Sequence, residues 1–179
     1  MDKSRVGKQR KIAENLVYKL TGGKIKHLKT GRPYVGKSVD ISISHKGDIV
    51  VAAAVRHPYK IGVDVEHLKP QLNVRNFFGA VITNDETPLF KEFCEKNNFS
   101  LSSGVAAFWS IKESFFKCVD YDLKPAKISI LGISKKGNIK FLFSEEIKGV
   151  LFKKNLEIYS AKIVFRGKYV FSRTMAKKI

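Results

Sequence analysis

Little in this chain of 179 residues favours a covalent or metal-stapled scaffold, since it has two cysteines, one tryptophan and two methionines. Cys94 and Cys118 are too few and too far apart for a disulfide framework or a zinc site. Each falls in an apolar helical pattern, where a buried, reduced thiol is expected. Long hydrophobic runs are missing too. No stretch approaches the ~20 apolar residues that span a bilayer, and the opening Met1-Asp2-Lys3-Ser4-Arg5-Val6-Gly7-Lys8 has no apolar signal core. A cytoplasmic protein without a membrane partner is the expectation. Acid is the third shortage: 16 Asp and Glu stand against 34 Lys and Arg, a net charge of +18. Residues 1–32 alone carry ten bases and two acids. A field of that sign draws polyanions and speeds their encounter. An anionic cofactor, an acidic protein, nucleic acid or a membrane surface would each satisfy it.

What is present supports a packed core. Hydrophobic residues make up 44% and charged residues 28%, which excludes general disorder, and the length suits one domain or two small halves sharing one core. Ile12, Ala13, Leu16, Val17 and Leu20 recur at helical spacing and predict an amphipathic helix over 4–20, ended by Gly22-Gly23. Gly31-Arg32-Pro33 is a turn signal. Residues 39–44 alternate apolar and polar, Lys46-Gly47-Asp48 is turn chemistry and 49–55 is an apolar run, together a β-hairpin. Residues 61–66 read as a further strand. Thr83 or Asn84 can cap a helix reaching about Lys96, with Pro88 in its first turn. Residues 105–118 are the clearest helix. From Lys127 onward the pattern predicts strands, broken at Lys136-Gly137-Asn138 and Arg166-Gly167-Lys168. The run 44–51 is similar to 164–171 in having a strand, a Gly-centred charged turn and an apolar strand. Two similar halves joined near residue 60 would produce that likeness.

Three segments carry candidate chemistry. In Gly62-Val63-Asp64-Val65-Glu66, strand alternation puts Asp64 and Glu66 on one face while Val63 and Val65 enter the core. Two neighbouring carboxylates repel unless something positive lies between them, and a hard divalent cation meets that need. Taken alone, an exposed acidic strand face is the commoner origin of such a pair. The second segment is Trp109-Ser110-Ile111-Lys112-Glu113-Ser114-Phe115-Phe116-Lys117, on the clearest helix. Glu113 and Lys117 are one turn apart, as in an ordinary helix ion pair, but they are embedded among large apolar residues. The third is Ile43-Ser44-His45 at a strand end, where both polar side chains can donate to a phosphate or serve an ordinary turn.

In order and spacing, the Ile61–Glu66 and Phe108–Lys117 segments resemble the two signature motifs of 4'-phosphopantetheinyl transferases. Gly31-Arg32-Pro33 and Ile43-Ser44-His45 look like further motifs of the surfactin-synthetase-activating (Sfp-like) branch, here in a short form. The resemblance covers roughly residues 5–175. It implies an α+β fold, a pseudo-dimer of two similar halves with small antiparallel sheets, which would divide at 1–60 and 61–179. It implies a reaction in which a serine of an acidic acyl or peptidyl carrier protein attacks the β-phosphate of coenzyme A and expels 3',5'-ADP. Asp64, Glu66 and Glu113 would hold magnesium, or manganese in its place. Glu113 would take the serine proton, and Lys117 would neutralise charge as the bridging bond breaks. Arg10, Arg32, Pro33, Ser44, His45 and Lys112 would bind coenzyme A, with Ser44 and His45 at the 3'-phosphate and Pro33 against the adenine. A monomer is expected, because two halves on one chain build the cleft.

The sequence also departs from that pattern. The first helix begins almost at the first residue, so some 3'-phosphate contacts of longer members would be missing, or replaced by Lys3, Arg5 and Lys8. Lys46 follows His45 where a small polar residue is usual and would add a phosphate-facing charge. The loop after Lys117 has no glycine. Two rival readings rest on charge: a metal-dependent nuclease using Asp64, Glu66 and Lys69, and a basic nucleic-acid-binding domain. Neither accounts for the 108–117 helix or the Ser-His pair, and zinc-finger, RNA-recognition and helix-turn-helix signatures are missing. Nucleic acid is therefore not the expected partner.

Overall fold

The computed structural model describes residues 3–29, 31–69, 74–121 and 125–179. The side chains of Lys3 and Arg5, and residues 122–124 of the loop after Lys117, lie outside the described residues. Helix α1 (Lys3–Thr21) ends where the pattern predicts, with Gly22 at φ 71° donating its N–H to the Tyr18 carbonyl at 2.7 Å. It packs against a hairpin of β3 (Val39–Lys46) and β4 (Ile49–Arg56), and a short pair, β1 (Lys26–His27) and β2 (Pro33–Tyr34), precedes the hairpin. Strand β5 (Tyr59–His67) forms the edge of a second antiparallel sheet of order β5-β9-β8, with β8 (Leu156–Arg166) and β9 (Tyr169–Lys178). The hairpin turns at Gly47 and Gly167 are alike. Each closes on a two-residue loop whose first residue is a glycine in the left-handed region, φ 60° and 56°, joining Lys46 to Ile49 and Arg166 to Tyr169. The similarity expected between 44–51 and 164–171 is thus real in backbone geometry.

Helix α4 (Leu101–Val119) lies across the three-stranded sheet and is the spine of the molecule. Ser100 caps it, accepting from the Ser103 N–H, and most of its residues are buried. Its N-terminal half joins one apolar cluster, Phe108 and Ile111 with Val81, Phe90, Phe93 and Val170. Its C-terminal half joins another, Phe115 and Val119 with Ile128, Ile147 and Leu156. Helix and sheet meet closely. A Cβ on Gly62 would lie 1.9 Å from the Ser114 carbonyl oxygen and 2.4 Å from the Cys118 nitrogen, so only glycine fits there. Small hydroxyl residues complete the seam, Ser110 with Ser172 at 2.8 Å and Ser114 with Thr174 at 3.0 Å.

Helix α5 (Glu145–Lys153) departs from the strand pattern expected after Lys127, and α2 (Val74–Val81) falls in a stretch to which the sequence pattern assigns no element. The signal for α5 was present in Ser144, which caps it, and in Glu145 and Glu146 in its first turn. The apolar residues of β7 (Ile139–Phe143), next to it and paired with β6 (Ile128–Ile133), obscured that signal. The helix expected near Lys96 is a 3-10 turn (Asn84–Glu86) running into α3 (Thr87–Lys96), with Pro88 in the first turn. Both cysteines are free thiols. Cys118 is fully buried, and burial pushes its pKa up to about 12.

The join between β3 and β5 positions everything that follows. β9 pairs one edge of β5, and on the other edge side-chain oxygens of β3 take up its amides. Asp40 Oδ2 accepts from Ile61 N at 2.8 Å, Ser42 Oγ from Val63 N at 3.0 Å and Ser44 Oγ from Val65 N at 3.4 Å. Three polar residues at alternate positions on one strand thus satisfy three alternate N–H groups of another. The polar phase of β3 is the one turned toward its neighbour, with Ser42 and Ser44 buried.

Candidate active site

Strand β5 and helix α4 bring the two signature segments face to face. Asp64 projects toward α4 and is 4% exposed. Its Oδ1 accepts from Lys117 Nζ at 2.6 Å and from Ser44 Oγ at 2.8 Å, and Lys117 Nζ also reaches Ser44 Oγ at 3.2 Å. Its second oxygen, Oδ2, is buried without a hydrogen-bond partner. Glu66, two residues on and on the same face, is held by Lys46 Nζ at 2.5 Å. Burial raises the Glu66 pKa above its ordinary value, the Lys46 hydrogen bond opposes that, and the nearby Asp64 charge adds to it. Glu113 lines a cavity of about 500 Å³ together with Lys117, Arg32, Pro33, Ser42 and Tyr121. A second cavity, about 420 Å³, is lined by Arg10, Gln9, His27 and His45, and shares Pro33 and Ile43 with the first. The two are neighbouring compartments along one face of β3.

The expected site residues divide accordingly. Glu113, Lys117, Arg32 and Pro33 meet in the first compartment, and Arg10, His45 and again Pro33 in the second. Arg32 is half of a small network, with Asp40 at 2.8 Å and Asp120 at 3.1 Å, partners the sequence did not flag because they lie 8 and 88 residues away.

Three expectations of placement need correction. Lys112 does not face the cleft. It is fully buried on the opposite side of α4, donating to Glu86 Oε2 at 2.7 Å and to the Val81 carbonyl at 2.6 Å, because one step along a helix turns a side chain by about 100°. Ser44 does not sit beside His45: adjacent strand residues point to opposite faces, so Ser44 is buried against Asp64 while His45 is exposed in the outer compartment. Lys46 is paired with Glu66 rather than turned to the phosphate side. Among the described residues no three His, Cys, Asp or Glu side chains form a ready-made metal cluster. Asp64 and Glu66 each carry a lysine, and Glu113 is on a separate element, α4. What the geometry offers a cation is the pair on β5, with the partnerless Asp64 Oδ2. That donor set suits a hard ion which takes one or two carboxylates and fills its remaining positions with phosphate oxygens and water.

A lysine paired with a buried carboxylate beside a cavity that also holds a glutamate and an arginine suits charge-neutralising group transfer on a phosphate. Comparison with known proteins gives the family. Residues 60–160 match the model of the 4'-phosphopantetheinyl transferase superfamily, more than half of the chain, and the protein belongs to that superfamily. It is a phosphopantetheinyl transferase. Its fold is shared by the holo-[acyl-carrier-protein] synthase of Neisseria meningitidis (TM-score 0.53, 20% identity, 66% of this chain and 98% of that one). The Plasmodium yoelii holo-ACP-synthase is similar (0.52, 19%, 65% and 92%), as is the Chronobacterium ammoniagenes ACPS–CoA complex (0.52, 17%, 69% and 99%). A search of curated protein sequences finds no match. The family match begins at residue 60, so α1, the β1–β2 pair and the β3–β4 hairpin, the stretch that supplies Arg10, Arg32, Pro33, Ser44 and His45, lie outside it.

Proposed function

We propose that the chain moves the phosphopantetheine arm of coenzyme A onto a serine of an acidic acyl or peptidyl carrier protein, as a short member of the Sfp-like branch. In that reading it works as a cytoplasmic monomer whose halves are residues 1–60 and 61–179. The observation that carries the proposal is the ion pair of Lys117 on α4 with Asp64 on β5, Lys117 lining one cavity together with Glu113. The serine oxygen forms a bond to the β-phosphorus, the bond to the bridging oxygen breaks, and 3',5'-ADP leaves. Glu113, lining the cavity, takes the serine proton. Lys117 offsets negative charge at the leaving side. Arg10, His45 and Pro33 in the outer compartment suit the adenosine and 3'-phosphate end, and Arg32 lines the first compartment with Pro33. Magnesium, or manganese, would be held by Asp64, Glu66 and Glu113 and would neutralise charge on the pyrophosphate.

Intact-mass spectrometry of an apo carrier protein incubated with the enzyme, coenzyme A and magnesium tests the proposal. The expected result is a gain of one phosphopantetheine, abolished by chelating the metal. No gain with fatty-acid, polyketide and peptide-type carriers, together with no coenzyme A binding, would sink it.

A further inference from the structure

Resting on that reading of the cleft, we propose that Ser44 is a positioning residue for the metal-binding carboxylate Asp64 and not a reader of the coenzyme A phosphate. A serine hydroxyl has one hydrogen to donate and two lone pairs to accept with. In Ser44 all three are engaged. The hydrogen is on Asp64 Oδ1 at 2.8 Å, and the lone pairs take Lys117 Nζ at 3.2 Å and Val65 N at 3.4 Å. Ser44 is 7% exposed and nothing in its bonding capacity is left for a ligand.

Its place in the β3–β5 join explains what it does there. Asp40 and Ser42 accept one β5 amide each, and Ser44 continues the series. By also binding Asp64 and Lys117, it ties three elements, β3, β5 and α4, through one oxygen. With Oδ1 fixed by Ser44 and Lys117, the Asp64 carboxylate has a set rotation, and Oδ2 is the oxygen left to meet a cation. A hydrogen-bond partner that orients a metal-binding carboxylate changes metal affinity about 10- to 100-fold when removed. The part of the chain outside the family match therefore reaches the acidic strand directly.

The test is magnesium binding to wild type, Ser44→Ala and Ser44→Thr by calorimetry, with manganese paramagnetic resonance as a second probe. Alongside it, Michaelis constants are measured for coenzyme A and its 3'-dephospho analogue. The expected result is metal binding about 10- to 100-fold weaker in Ser44→Ala, largely restored in Ser44→Thr, with the ratio of the two Michaelis constants unchanged. Circular dichroism confirms that each variant is folded. Unaltered metal affinity in folded Ser44→Ala overturns the proposal. So does a Michaelis constant that rises for coenzyme A but not for the dephospho analogue. A wild type that binds magnesium and transfers nothing would defeat the transfer reading alone, and weaker metal binding in Ser44→Ala would still support the role given to Ser44.

Discussion

At the scale of single residues, the two lysines of the signature helix show how different roles arise from five positions of separation. Lys117, about a third exposed, reaches across to Asp64 at the cleft. Lys112 is fully buried with Glu86, which also accepts from Thr83 N at 2.8 Å and Ile130 N at 2.7 Å. Burial pulls the Lys112 pKa below its ordinary value, and the Glu86 charge beside it opposes that shift. The pair therefore ties together the junction of α4, the 3-10 turn and β6. Lys112→Ala leaves a buried carboxylate without its counter-charge, and urea unfolding should show a loss of about 3–5 kcal/mol. The Michaelis constant for coenzyme A of the folded fraction should be unchanged. A stable variant with a raised constant would return Lys112 to the cleft.

At the scale of elements, catalytic geometry depends on how near α4 lies to β5. Gly62 permits an approach at which any Cβ would strike the helix backbone, and the hydroxyl pairs Ser110–Ser172 and Ser114–Thr174 fasten it. Gly62→Ala must lift the helix, because the atoms in the way are backbone and cannot rotate aside. Glu113 and Lys117 would move with it, away from Asp64. We expect a loss of about 1–3 kcal/mol in stability and a larger proportional loss in turnover, read by melting and by single-turnover transfer on the same preparation. Turnover retained at wild-type level would show that the spacing of α4 and β5 is not critical.

For the whole molecule, charge and connectivity dominate. On the proposed function, a net charge of +18, with ten bases and two acids in the first 32 residues, would serve an anionic donor and an acidic acceptor together. Encounter with the carrier protein should weaken as salt screens the long-range field, while contacts buried in the cleft are screened far less. Added salt should therefore raise the Michaelis constant for the carrier protein more than that for coenzyme A, measured in one titration. Equal responses would mean that the surface field does not recruit the carrier. The same scale explains why residues 1–60 matter to a site whose signature lies after residue 60, since β3 lines both cavities and satisfies one edge of β5.

Much of this was legible in the sequence because it depends on local periodicity and on residue type. Alternation placed Asp64 and Glu66 on one strand face, helical spacing placed Glu113 and Lys117 on one helix, and glycine-centred turns marked both hairpins. The α5 cap at Ser144 was legible too and was masked by the apolar strand beside it. Tertiary structure decided what local pattern cannot encode, namely which partner each polar group meets across long separations. Ser44 and His45 were read together as neighbours in the chain, yet the pleat sends them to opposite faces, one to Asp64 and one to the outer cavity. Glu86 meets Lys112, Lys46 meets Glu66 and Arg32 meets Asp120 only because packing brings those elements together. Sequence determined the inventory of charges and hydroxyls and the face each takes on its own element. The packing of β3 and α4 around β5 determined which of them face the substrate and which hold the others in place, because hydrogen bonds and ion pairs act over a few ångströms in space, whatever the distance along the chain.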